Sequence, residues 1–227
     1  MIGSSATLVE ARLQANHLDT IAILISLSLF VSYYLFLLRQ TRRDPNYTIH
    51  AINQKARHLW VTEVMKDSRH DVMAVQTLRN YAMAATFKAS SAILLIIGTL
   101  TLSGQAENLA KSWHVLNLGG SPAPEWWTIK ILCLLTALIV AFFAFSMSIR
   151  LLNHVVFMVS IPPEQAHGAL APDKVAQRLN HAGAYYSVGM RAFFITVPLV
   201  FWLFGPVFLV LATLGLVIVL FRLDRNR

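Results

Sequence analysis

Four stretches of this chain run without a charged side chain for long enough to cross a lipid bilayer. There are 19 such residues between Asp19 and Arg39, 18 between Lys88 and Glu107, 19 between Lys130 and Arg150, and 30 between Arg191 and Arg222. A hydrocarbon core about 30 Å thick takes roughly 20 apolar residues at about 1.5 Å each. In lipid, backbone groups find partners within their own helix unless a barrel closes, and these windows lack the period-2 alternation of barrel strands. With 56% hydrophobic and only 13% charged residues, too little polar surface remains to cover four such helices in water. The expected fold is an all-α integral membrane protein, a single domain over 1–227, with four transmembrane helices at about 20–38, 89–106, 131–149 and 192–221.

The first window is not expected to be a cleaved signal peptide, because Glu10, Arg12 and Asp19 precede it in place of a basic region. Thr7 to Gln14 reads as a short interfacial helix. The fourth window contains Pro198 and the pair Gly205–Pro206, which predicts one long kinked helix, with a re-entrant break at Gly205–Pro206 as the alternative.

The net charge of +8 has a direction. Nine Lys and Arg lie from Arg39 to Lys88 and four from Arg150 to Arg191; the remaining six are Arg12, Lys111, Lys130 and the tail's Arg222, Arg225 and Arg227. The positive-inside rule puts both long connections in the cytoplasm and both termini outside. Trp113, Trp126 and Trp127 then form an outer aromatic belt, and the basic tail is discordant unless the fourth window folds back.

The cytoplasmic segment 44–88 is expected to be helical. Ile49, Ile52, Ala56, Leu59, Trp60 and Val64 recur at helical spacing, flanked by Lys55, Arg57, His58 and Lys66, as in a basic amphipathic helix on anionic headgroups or on neighbouring helix ends. A second helix starts near His70–Asp71 and runs unbroken into the second window, with Ala82, Ala85, Ala89 and Ala92 as a small-residue packing stripe. The third helix is expected to run to Ile161, ahead of Pro162–Pro163, and another to start at Pro172–Asp173. The transmembrane helices thus extend into a cytoplasmic helical layer.

The polar side chains at the inner helix ends form the candidate cluster: Gln76, Arg79, Asn80, Arg150, Asn153, His154, Asn180, His181 and Arg191. Rich in Arg, Asn and His and nearly free of carboxylates, it suits an anion or a neutral polar solute; interhelical hydrogen bonding and snorkelling arginines are the plainer alternative. The eight histidines form no metal-binding pair on a helix, and the lone Cys133 excludes a multi-cysteine site. No nucleophile elbow, Walker loop or dinucleotide fingerprint is present, so no cofactor, catalytic residue or nucleic-acid partner is expected.

One resemblance spans Trp60 to Pro206. The run Trp60-Val61, Ala74-Val75-Gln76-Thr77-Leu78-Arg79-Asn80 and Met83-Ala84-Ala85-Thr86 resembles the family called domain of unknown function 599. So do Ile129-Lys130, Arg150, Asn153-His154, the stretch from Val188 to Phe194, Pro198, and Trp202-Leu203-Phe204-Gly205-Pro206. The resemblance implies a multi-pass membrane protein of bacteria and plants and brings no catalytic residues with it. The leading expectation is a non-enzymatic channel or transporter of a small solute acting as a homo-oligomer. An accessory subunit of a larger membrane complex is the alternative, and a membrane-embedded enzyme acting on lipid the third.

Overall fold

The computed structural model describes residues 2–44, 46–104 and 124–225, with side chains from Asn16 onward in the first of these segments. Trp113, Lys111, Glu107 and Arg227 lie outside the described residues. All regular structure among the described residues is helical: α1 Ile2–Arg43, α2 Ile49–Val64, α3 Asp71–Gly104, α4 Pro124–Val159, α5 Pro172–Trp202 and α6 Pro206–Asp224, with short 3-10 turns at Ser68–His70, Pro163–Gln165 and Gly168–Leu170. Thr7 to Gln14 belongs to the continuous helix α1 rather than to a separate one.

Helix ends follow local chemistry. The Thr48 hydroxyl accepts from the Ala51 amide at 3.3 Å and starts α2. Between α2 and α3, Asp67 accepts from both the backbone and the guanidinium of Arg69, which holds its carboxyl down at about 2. Pro162–Pro163 bars continuation of α4, and Pro124, Pro172 and Pro206 occupy first-turn positions where the missing N–H costs nothing. Pro198 is carried inside α5 without ending it.

The expected count of four spans is corrected here to five. Five helices are long and apolar enough to cross a membrane: α1 over Asn16–Arg43, α3, α4 over Glu125–Val159, α5 and α6. The window 192–221 is not one kinked helix, because the chain breaks between Trp202 and Pro206. Gly205 at φ 139°, a backbone region open to glycine, turns the chain, and Pro206 launches α6.

The described residues divide into two compact units. The first comprises residues 2–44, 95–104, 124–138 and 193–225. Ala22 clusters there with Trp202 and Leu209, while Tyr33 clusters with Leu216 and Leu220, Phe194 and Ile195 packing alongside. Rising along α1 from Ala22 to Tyr33 therefore means rising along α6 and descending along α5. So α5 and α6 form an antiparallel hairpin, and Tyr33 closes its far end by donating to Asp224 at 2.6 Å.

The second unit holds residues 45–94 and 139–192. Its core joins Val61 and Val64 of α2, Ala74 and Leu78 of α3, Leu152 and Val155 of α4, and Val175 and Leu179 of α5. Ala85, Ala89 and Ala92 of the small-residue stripe are buried. The apolar stripe assigned to α2 is only partly the buried one: Leu59 is 70% and Ile49 41% exposed, whereas Val61 is fully buried. Arg57, grouped with the flanking cations above, turns inward to Asn180.

Candidate functional site

Two polar constellations stand out from otherwise apolar packing, one in each unit. In the first unit Asp19 is fully buried and Lys130 is 2% exposed. Lys130 Nζ lies 3.3 Å from Asp19 Oδ1, and the Trp202 indole N–H donates to the same oxygen at 2.7 Å. The ammonium also sits over the indole ring, 5.4 Å from its centroid. Three helices converge on this point: α1 supplies Asp19, α4 Lys130, and α5 its last residue, Trp202. Trp126 of α4 packs edge-on against Trp202 at 6.4 Å.

Desolvating a carboxylate and an ammonium costs several kcal/mol for each ion in practice, repaid only when geometry and further hydrogen bonds are good. Here the indole supplies a neutral donor and a π face together, so Asp19 and Lys130 both gain a second partner. Trp202 also walls an apolar cavity of about 190 Å³ with Leu27, Phe30, Cys133, Pro198 and Leu209. Ser26 also lines this cavity, its hydroxyl buried and without a hydrogen-bond partner among the described residues.

In the second unit Arg57 of α2 lies against α5. Asn180 Oδ1 accepts from Arg57 Nε at 2.8 Å, and Asn180 Nδ2 donates to the Gln54 carbonyl at 3.3 Å, so the amide is fixed at both ends. One turn on, Gly183 makes room: a Cβ there would stand 2.7 Å from Arg57 Cζ. Burial pushes the guanidinium pKa down, opposed by its interaction with Tyr81. It stays charged, since arginine starts so high.

Two clefts flank this arginine. One, about 480 Å³, is lined by Gln54, His58, Asp173, Lys174, Asn180 and His181, with His58 Nε2 3.4 Å from Asp173 Oδ1. The other, about 410 Å³, lies between α2 and α3, with Arg57, Trp60 and Tyr81 in its wall. Among the described residues no three His, Cys, Asp or Glu side chains are placed to hold a metal ion.

Of the nine residues singled out in the sequence, Asn180 and His181 share the first of these clefts. Gln76, Arg79 and Asn80 on α3, and Arg150, Asn153 and His154 on α4, are exposed; Arg191 is half-buried on α5. None of these seven lines either cleft. The residues that sequence reasoning passed over are Asp19, Lys130, Trp202 and Arg57. A signal for the first two existed: they are opposite charges, each standing at the edge of a charge-free window.

No curated protein and no solved structure matches the chain. A family model does, over residues 21–227, under the description "Protein of unknown function, DUF599". That span takes in four of the five apolar helices whole and all but the first residues of α1's span. The five apolar helices make this a multi-pass membrane protein, and the chain belongs to the DUF599 family.

Proposed function

We propose that this protein is a bacterial inner-membrane carrier or channel for a small solute, anionic by preference. In this reading the contact of Asp19, Lys130 and Trp202 latches the α5–α6 hairpin. The observation that carries it is the burial of a carboxylate and an ammonium within 3.3 Å of each other, inside helices otherwise suited to lipid. Ionisable groups buried between membrane helices are costly and mark pathways and moving parts more often than scaffolding. The turn beside Trp202, three residues long and containing Gly205, supplies a hinge next to the charges. A conducting path would run between copies of the chain, since cyclic symmetry builds a pore that a few helices alone do not.

The hairpin also supports a definite sidedness. Folding back brings Arg222 to the end of α1 that carries Arg42 and Arg43, which relieves the discord of the basic tail. Sixteen of the 19 Lys and Arg then fall on the cytoplasmic side, with the N-terminus outside. Exposed Ile49 and Leu59 beside Lys55 suit α2 to an anionic headgroup layer. A fluorescent protein fused after Arg227 is expected to fluoresce, and a periplasm-dependent phosphatase fused there to stay inactive; the reverse pattern would overturn the five-span reading.

Transport itself is tested with purified protein in proteoliposomes. Flux above protein-free vesicles is expected for at least one small anion, and larger for anions than for cations of similar size. Silence across anions, cations and neutral polar solutes would remove the reading.

A further inference from the structure

We infer that the cleft between α2 and α3 binds an oxyanion, phosphate or carboxylate, carried on an apolar stem, with Arg57 as its counter-charge. This inference goes beyond the transport reading and stands without it, because the cleft belongs to the second unit and the latch to the first.

The argument starts from an incomplete arginine. Its Nε is satisfied by Asn180, yet Nη2 is buried and has no acceptor among the described residues. No carboxylate pairs with Arg57 among the described residues. A buried guanidinium nitrogen without an acceptor is an expensive feature, and a plain snorkelling arginine would avoid it by turning to water. Arg57 is instead held in place. Asn180 fixes one edge of the fork, the Gln54 carbonyl fixes Asn180, and Gly183 leaves the close approach that the flat guanidinium needs. With Nε taken by the amide, an oxyanion entering from the cleft supplies the acceptor that Nη2 lacks, in the planar geometry that a guanidinium offers.

The space next to it has the character of the rest of the ligand. The cleft of about 410 Å³ is walled by Ala56, Trp60, Leu78 and Leu179, with Asn53, Thr77, Tyr81 and Arg57 as its polar members. An inorganic anion would leave those walls uncovered; an alkyl chain covers them. Two sources offer this chemistry, a free amphiphilic acid and the headgroup of an anionic lipid. Both present the same oxyanion and stem.

The full-length protein in phosphatidylcholine nanodiscs is titrated with hexyl phosphate by calorimetry. In parallel, lipid retained from nanodiscs containing phosphatidylglycerol is read by native mass spectrometry. Saturable hexyl phosphate binding supports the site and a free amphiphile as its source; retained phosphatidylglycerol with no hexyl phosphate binding supports the site and a lipid source. Arg57→Gln is expected to weaken whichever is bound by about 10–100-fold, the loss of a charged hydrogen bond. Ala56→Trp fills the cleft without touching the Arg57–Asn180 bond and is expected to do the same, so it decides the matter if Arg57→Gln fails to fold. Inorganic phosphate is expected to compete at least about 10-fold less well than hexyl phosphate, and equal competition overturns the apolar stem. Binding in neither arm, or binding that Ala56→Trp leaves unchanged, overturns the site.

Discussion

Leucine in place of Asp19 alone is expected to destabilise the protein by about 3–5 kcal/mol, because Lys130 is then left buried without its counter-charge. Thermal unfolding in mild detergent, followed by tryptophan fluorescence, measures this directly. Lys130→Leu is expected to cost a similar amount, since the carboxylate retains only the neutral Trp202 indole of the two partners described. The double variant Asp19→Leu/Lys130→Leu is expected to recover most of the loss, as apolar replacements of buried ion pairs are often neutral or stabilising. That contrast separates the structural role of the pair from its proposed role as a latch. A stable double variant that has lost flux in proteoliposomes supports the latch, and one that transports like the parent removes it. Single variants that melt like the parent would show that the two charges reach water.

The second large effect lies at Gly189. A Cβ at this position would stand 2.7 Å from Phe145 Cε1 and 2.8 Å from Cδ1. Phe145 is fully buried and packs edge-on against Tyr186, whose ring carries Lys88 on its face and Tyr81 at its edge. The phenylalanine ring has nowhere to retreat without disturbing that stack. Gly189→Ala is therefore expected to cost about 1–3 kcal/mol, read as a lower melting temperature in the same assay. Gly183 meets a similar distance from the guanidinium of Arg57, which Asn180 holds in place. An alanine there displaces the far end of a long side chain and breaks that bond, a smaller loss of stability than displacing a buried ring. A melting temperature unchanged by Gly189→Ala would show that α4 and α5 have slack at this level.

Much of this architecture was legible in the residues, and the rest was hidden for identifiable physical reasons. The pair Pro162–Pro163 placed the C-terminal end of α4 within two residues, and Pro172 placed the start of α5, because a missing N–H acts locally. The charge-free windows located the apolar helices because lipid tolerates so few ions. Pro198 and Pro206 were harder to tell apart. Both lie in one apolar run, yet α5 carries the first and the chain breaks just before the second. Gly205 makes the difference, and its positive φ is a property of the folded backbone.

The buried faces were less legible than the helix ends. In lipid the side facing acyl chains is as apolar as the side facing protein, so periodicity carries little information about packing. On α2, where the contrast of apolar and polar was readable, Arg57 reversed the rule by turning inward to Asn180 and exposing Leu59. Candidate polar residues were chosen for their position near helix ends. The structure built its buried polar contacts largely from other residues: Asp19 and Lys130, read in the sequence as window edges, and Arg57, read as a headgroup contact, which meets the candidate Asn180.

The bond from Trp202 to Asp19 joins residues 183 positions apart, and Tyr33 reaches 191 positions to Asp224. A ribosome adding roughly 5–20 residues each second takes about 10–40 s to cover such a distance. Throughout that interval the first helix sits in the bilayer with its carboxylate lacking the indole it will bind. Maturation of this unit therefore waits until Asp224 has been synthesised, and a nascent chain stalled anywhere before Trp202 leaves the acidic group of the first helix without that bond.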